Sequence, residues 1–331
     1  MFNLRRNFTI IQKIAILYIA SVIFLLFSCQ WNPKQTSVDN NSSEWMKNLP
    51  DSATLTSLAI PGTHDTSAVY DFLIGGASAA QDIPLYEQLD KGIRFLDIRV
   101  SKQKDGTLGI YHGIKYMYIN FDEVVKECKE FLSAHPSEFI LMMVKEEVFR
   151  SEGTGENFTD DIYALVEKDP SLWANPADWV SATSYPYPDS IAPLRGKILL
   201  FRNYKESTKG TTRAVNIYQN PPSYWVREGD SAMVPQGNIK TIDDKWKQVS
   251  AYIDERSKKT DDRKLYIHSV AAYNALIGGL PNIDNVAKVV NPLLTEKLKN
   301  GKATYAKKPL GILMCDKVYP ELITAIYSLN Y

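Results

Sequence analysis

Apolar residues along this chain fall into short unbroken runs separated by one-sided stripes, and that alternation predicts the architecture. The runs 55–60, 93–100, 139–144, 197–201, 265–268 and 310–315 lack polar alternation, as strands buried on both faces do. Between them, 121–134 carries Val124, Val125, Cys128, Phe131 and Leu132 along one side of a helix. The stretches 158–167, 243–255, 283–298 and 319–329 read as helices in the same way. Strand–helix alternation around one apolar core, with no linker, predicts the α/β class: a single (β/α) TIM-type barrel over 51–331. Two excursions distort it, 169–193 with five prolines and 211–235 with no clear helix. No Gly-rich loop opens a helix, which leaves a doubly wound sheet as the weaker alternative, and no internal repeat suggests a solenoid.

The N-terminus reads as an address. Arg5, Arg6 and Lys13 precede an apolar stretch from Ile14 to Phe27 that stops at Ser28-Cys29, the composition of a bacterial secretory signal over residues 1–28. Leu26-Phe27-Ser28-Cys29 resembles a lipoprotein signal box, which would make Cys29 the lipidated first residue. The alternative is a single transmembrane helix, for which the apolar stretch is slightly short. Either reading predicts export, with the protein held on the bacterial envelope, in the lipoprotein case on the outer membrane. Residues 29–50, polar in their first half, are expected to form a flexible tether.

Composition narrows the function. The 331 residues carry 38 basic and 38 acidic side chains, without a basic block, so nucleic-acid binding is not expected. Three cysteines, none in a Cys-x-x-Cys pair, are too few for a disulfide scaffold or a structural zinc site. Cys128 and Cys315 sit in apolar patterns and are expected in the core.

Chemistry concentrates where strands end. His64 follows the first run in Ile60-Pro61-Gly62-Thr63-His64-Asp65-Thr66, and His112 stands in Ile110-Tyr111-His112-Gly113. The C-terminal end of a strand is where a barrel places working residues. Residues two apart on a strand share a side, so Phe95, Asp97 and Arg99 face the same way. Lys145 and Asp316 likewise close apolar runs with charge, whereas His135 and His268 read as structural. These parts suffice to cleave a phosphodiester: one imidazole removes a proton from the attacking hydroxyl, the other protonates the leaving oxygen, and the guanidinium holds the phosphoryl oxygens. Carboxylates would fix the tautomers. The scheme requires no metal and no cofactor.

The ordered set IPGTHDTS (60–67), GIRFLDIR (92–99), IYHG (110–113), the lysine-ended run 141–146 and GKILLFRNY (196–204) resembles bacterial phosphatidylinositol-specific phospholipase C. The resemblance implies release of diacylglycerol and inositol 1,2-cyclic phosphate from phosphatidylinositol or a related inositol lipid at a membrane surface. It implies that His64 takes the proton of the inositol 2-hydroxyl, that His112 serves the diacylglycerol oxygen with Asp65 as a composite acid, and that Arg99 clamps the phosphate where metal-dependent relatives hold calcium. Asp316 would orient His64, and Asp97 would support Arg99 and His112. Lys145 and Asp244 match positions that bind inositol hydroxyls, with Trp246 where the family has tyrosine, and Tyr273 is the candidate to stack on the ring. Arg202 falls where the family has the first of two basic residues, but Asn203 replaces the second.

Apolar, Gly-containing segments at 69–76 and 273–280 are candidate rim loops for a lipid interface, or lids. Two rivals remain. A metal-dependent glycerophosphodiesterase would use Asp65, Asp97 and Glu146 on calcium, with Arg99 on the same face arguing against the ion. A lipid-anchored protein that holds a phosphorylated headgroup without cleaving it would leave both imidazoles unemployed.

Overall fold

The computed structural model describes residues 42–70, 79–147, 158–179, 185–206, 213–218, 225–228, 241–275 and 281–331. Cys29, and most of the two expected rim loops, lie outside the described residues.

The strands are β1 (Ala59–Thr63), β2 (Phe95–Lys102), β3 (Leu108–His112), β4 (Lys115–Asn120), β5 (Ile140–Glu146), β6 (Ile198–Asn203), β7 (Val215–Asn216), β8 (Trp225–Glu228), β9 (Leu265–Ser269), β10 (Asn274–Ala275), β11 (Pro281–Asn282) and β12 (Gly311–Cys315). Eight of them pair in parallel in the order β7-β6-β5-β2-β1-β12-β9-β8 and curl as a barrel wall. Among the described residues no pairing joins β7 to β8. The helices are α1 (Leu85–Asp90), α2 (Phe121–Ala134), α3 (Phe158–Val166), α4 (Ile242–Arg256), α5 (Ile283–Asn300), α6 (Lys302–Tyr305) and α7 (Pro320–Tyr327). Their apolar stripes close the core against the strands: Val124, Cys128, Phe131 and Leu132 of α2 are all buried. Cys128 and Cys315 are buried, unlinked thiols.

The barrel expectation holds, with four local differences. The segment 55–60 is not all strand: Leu55–Ser57 is a 3-10 turn closed by Ser57 N to Thr54 O, and β1 begins at Ala59. Leu55 and Leu58 are buried although not in a strand, so burial rather than period produced their apolar signal. The second excursion supplies β7 and β8, too short for any periodicity to register. His112 does not end a barrel strand; it ends β3, which runs antiparallel to β2 (Val100 opposite Ile110) and turns back as β4.

The fourth difference is in the tether. Residues 42–48 form a helical turn that packs against the barrel floor, where the strands begin. Trp45 is fully buried, stacks on Tyr327 at 5.4 Å and donates from Nε1 to Gly92 O at 2.9 Å. Below it lies a buried ion pair: Glu138 accepts from Arg94 Nε at 3.0 Å, from Arg94 Nη2 at 2.8 Å and from Met46 N at 3.3 Å. Two apolar side chains, Trp45 and Met46, overcame the polar composition around them.

Candidate active site

The run from Thr63 to Thr66 folds as a tight, internally bonded turn at the end of β1. A Cβ on Gly62 would stand 3.0 Å from Phe95 and 3.2 Å from Ile312, so a side chain there would crowd both neighbours and glycine lets β1 sit this close to β2 and β12. Thr66 N donates to Asp97 O, Thr66 Oγ1 accepts from Asp97 N at 2.8 Å, and Asp65 N donates to Asp97 Oδ2 at 3.1 Å. Asp65 itself adopts φ 41°, a left-handed conformation that Asp tolerates better than most residues. His64 is fixed from the other side, its N–H donating to Cys315 O at 3.0 Å. Buried Gln81 ties the two segments together, donating from Nε2 to His64 O at 2.8 Å and to Cys315 O at 3.0 Å.

Six of the expected residues converge. His64 Nδ1 lies 2.8 Å from Asp316 Oδ1, and His64 Nε2 lies 2.7 Å from Arg99 Nη2. A guanidinium only donates. Nε2 therefore carries the lone pair and Nδ1–H donates to Asp316, the neutral tautomer that a base requires. Arg99 Nε pairs with Asp65 Oδ1, Nη2 stands 3.4 Å from Asp97 Oδ2, and Nη1 stands 3.8 Å from Glu147. Asp65 Oδ2 is 3.3 Å from His112 Nε2 and 3.7 Å from His64 Nε2. The two imidazoles thus flank one carboxylate oxygen, at most about 7 Å apart if those contacts lay end to end.

The charges are mutually supporting. For Asp65, burial raises the carboxyl but the Arg99 guanidinium, then His112 and His64, outweigh it and hold it below the usual carboxylate range. Burial likewise works against the Arg99 charge, yet Asp65, Asp97 and Glu147 raise its pKa above the ordinary arginine value. Burial lowers His64, while Asp316 and Asp65 raise it against the Arg99 charge, and the net direction is upward. One oxygen or nitrogen from each of His64, Asp65 and Asp97 lies within 4.8 Å of the others, a set that would suit a cation. Arg99 contacts all three, so the side chain's own positive charge occupies that position.

Lys145 joins the cluster by register. Arg99 on β2 pairs with Lys145 on β5, which pairs with Asn203 on β6, so all three share one level of the wall. Arg202 does not join them. Successive residues alternate sides, and Arg202 belongs to the neighbouring row with Ile98 and Val144. Its guanidinium is buried, donating to Tyr204 O at 2.8 Å and Glu206 at 3.0 Å, which removes it from the substrate-binding set. Asp244 and Trp246 sit in α4, and neither has a hydrogen bond or ion pair to the cluster among the described residues. Helical geometry explains this: the residue between them, Lys245, turns inward and donates to Ser269 O at 2.7 Å. Tyr273, beyond β9, is half-buried against the core.

Three participants escaped the sequence reading. Glu147, not Glu146, approaches Arg99; counting two residues on from Lys145 would have found it. Gln81 carries no signal outside the fold. Lys245 carried one, a basic residue in the first turn of a helix.

A family model described as phosphatidylinositol-specific phospholipase C, X domain, matches residues 52–204. The 1-phosphatidylinositol phosphodiesterase of Listeria monocytogenes is 31% identical over 306 residues, 88% of this chain and 85% of that protein. The Staphylococcus aureus (strain Newman) protein of the same description is 26% identical over 284 residues, 81% of this chain and 87% of its own. In fold, the solved phosphatidylinositol-specific phospholipase C from Listeria monocytogenes superposes with a TM-score of 0.70 at 24% identity, covering 88% of this chain and 99% of that one. With nearly a third of positions identical along most of both chains, and a matching barrel, this protein belongs to the bacterial phosphatidylinositol-specific phospholipase C family.

Proposed function

We propose that the protein cleaves phosphatidylinositol, or a related inositol phospholipid, to diacylglycerol and inositol 1,2-cyclic phosphate by general acid-base catalysis. The observation that carries this reading is the pair of imidazoles on one Asp65 oxygen with the Arg99 guanidinium beside it. The inositol 2-hydroxyl would enter between His64 Nε2 and Arg99 Nη2, now 2.7 Å apart, giving its proton to the nitrogen while a phosphoryl oxygen takes the guanidinium N–H. The 2-oxygen forms a bond to phosphorus, the bond to the diacylglycerol oxygen breaks, and the His112–Asp65 pair supplies the proton to that leaving oxygen. Asp316 steadies the imidazolium that forms on His64. Water then opens the cyclic ester to inositol 1-phosphate, with the proton transfers reversed. Lys145, level with Arg99, is the wall residue suited to the inositol hydroxyls, and Asn203 beside it offers an amide in place of a second cation.

The address at the N-terminus supports an exported protein anchored to the bacterial envelope through a lipid on Cys29, working at a membrane surface. A C29A variant recovered in the soluble fraction would agree with that assignment, and one that stayed in the membrane would remove it.

Phosphorus NMR of the reaction products tests the chemistry. A cyclic phosphate signal that appears first and decays slowly is expected, and its absence would refute the intramolecular step. His64→Ala and His112→Ala should each fold and lose about 10²–10⁴-fold or more in turnover. Substantial turnover in either variant would remove that residue from the mechanism.

A further inference from the structure

Lys245 breaks two local rules at once. It lies in the first turn of α4, the positive end of the helix, where a cation is unfavourable. Its side chain is also buried, which strips an ammonium of its hydration. Among the described residues its hydrogen-bond acceptor is the Ser269 carbonyl at 2.7 Å. A carbonyl alone does not compensate a buried charge. Ser269 closes β9 and pairs in register with Met314 of β12, two residues before Asp316, the carboxylate 2.8 Å from His64 Nδ1. Burial pushes Lys245 down to about 8, while Asp316 and then Cys315 pull it up; burial keeps the Cys315 thiol protonated, so the working counter-charge is Asp316.

We propose that Lys245 is a positioning residue of the phosphodiesterase reaction, a buried cation near Asp316 whose charge opposes this carboxylate's pull on the His64 proton and so keeps His64 neutral and ready to accept a proton. The inference rests on the reading of His64 as the base. The groups facing His64 set the balance: Asp316 and Asp65 favour its charged form, Arg99 opposes it, His112 and Lys145 act on it through Asp65, and Glu147 through Arg99. Lys245 adds a cation that acts on Asp316 from the Ser269 end of β9. Without it, Asp316 would pull harder on the imidazole proton, and His64 would stay charged to higher pH. The cation is present through the neutral range and is lost above about pH 8.

The test uses Lys245→Gln, which keeps an N–H donor and drops the charge, Lys245→Met, which drops both, and Lys245→Arg, which keeps the charge. With a soluble short-chain phosphatidylinositol, the acid limb of kcat/KM should move up by about half to one pH unit in the Gln and Met variants. Turnover near neutrality should fall several-fold with KM within about twofold, and the Arg variant should return the limb toward the parent position. If Lys245→Met does not fold, Lys245→Gln carries the comparison. Limbs that superimpose on the parent, or an Arg variant shifted as far as Gln, would overturn the proposal. NMR titration of the His64 imidazole in resting protein should show the same upward shift without any turnover. That readout separates the two claims: an active His64→Ala would end the base assignment, whereas an unmoved imidazole titration would end this one.

Discussion

Replacing Asp316 by Asn perturbs the base through one contact. The carboxylate stands 2.8 Å from His64 Nδ1 and becomes a partner to a full charge once His64 takes the substrate proton. A hydrogen bond to a charged group is worth about 1.5–3 kcal/mol, and about 1.4 kcal/mol is tenfold in rate, so kcat should fall roughly 10–150-fold. The pH dependence has a definite sign. Burial and Arg99 lower His64, and Asp316 with Asp65 raises it above 6.5. Removing the Asp316 charge leaves burial and Arg99 against Asp65 alone, so the acid limb of kcat/KM should move to lower pH, opposite to the Lys245→Gln variant. Stability should follow the same linkage. A histidine raised above its unfolded pKa contributes stability in full below that unfolded value, and the contribution disappears as pH rises through the folded pKa. The deficit of Asp316→Asn should therefore be larger near about pH 6 than near about pH 9. Steady-state kinetics across that range and urea unfolding at both ends measure these effects. A limb that stays put or moves upward, or a kcat within threefold of the parent, would refute the coupling between Asp316 and His64.

Two further substitutions probe other parts of the molecule. Arg99→Lys keeps the charge, but an ammonium cannot reach His64, Asp65, Asp97 and Glu147 together, so kcat/KM should drop by about 10²-fold or more; an enzyme retaining a tenth of parent activity would show that charge alone suffices. Glu138→Ala removes the carboxylate that pairs with Arg94 and accepts from Met46 N at the barrel floor and leaves a buried guanidinium with carbonyl acceptors but without that counter-charge, at a cost of about 3–5 kcal/mol in denaturant unfolding. Its kinetics in the cold should be near normal because the floor is the end opposite His64, and a cost under about 1 kcal/mol would show that the pair does not anchor the floor.

The sequence by itself determined the strands and helices that obey a period, and with them the α/β class. Runs such as 139–144 need burial on both faces, and 121–134 needs it on one, and both constraints are local enough to be written in consecutive residues. The turn around His64 was legible for a similar reason, since Thr63 and Thr66 bond to each other within three positions. Tertiary structure decided what lay between elements. Whether Arg202 or Asn203 stood level with Arg99 depended on register with β5, and whether Asp244 or Lys245 turned inward depended on the rotation of α4. His112 reached Asp65 on a hairpin folded back from β2, and Glu147 met Arg99 across two paired strands. Local periodicity records which side of an element is apolar, because desolvation acts on each residue separately. It does not record which charged side chains meet, because pairing depends on the distance between residues far apart in the chain.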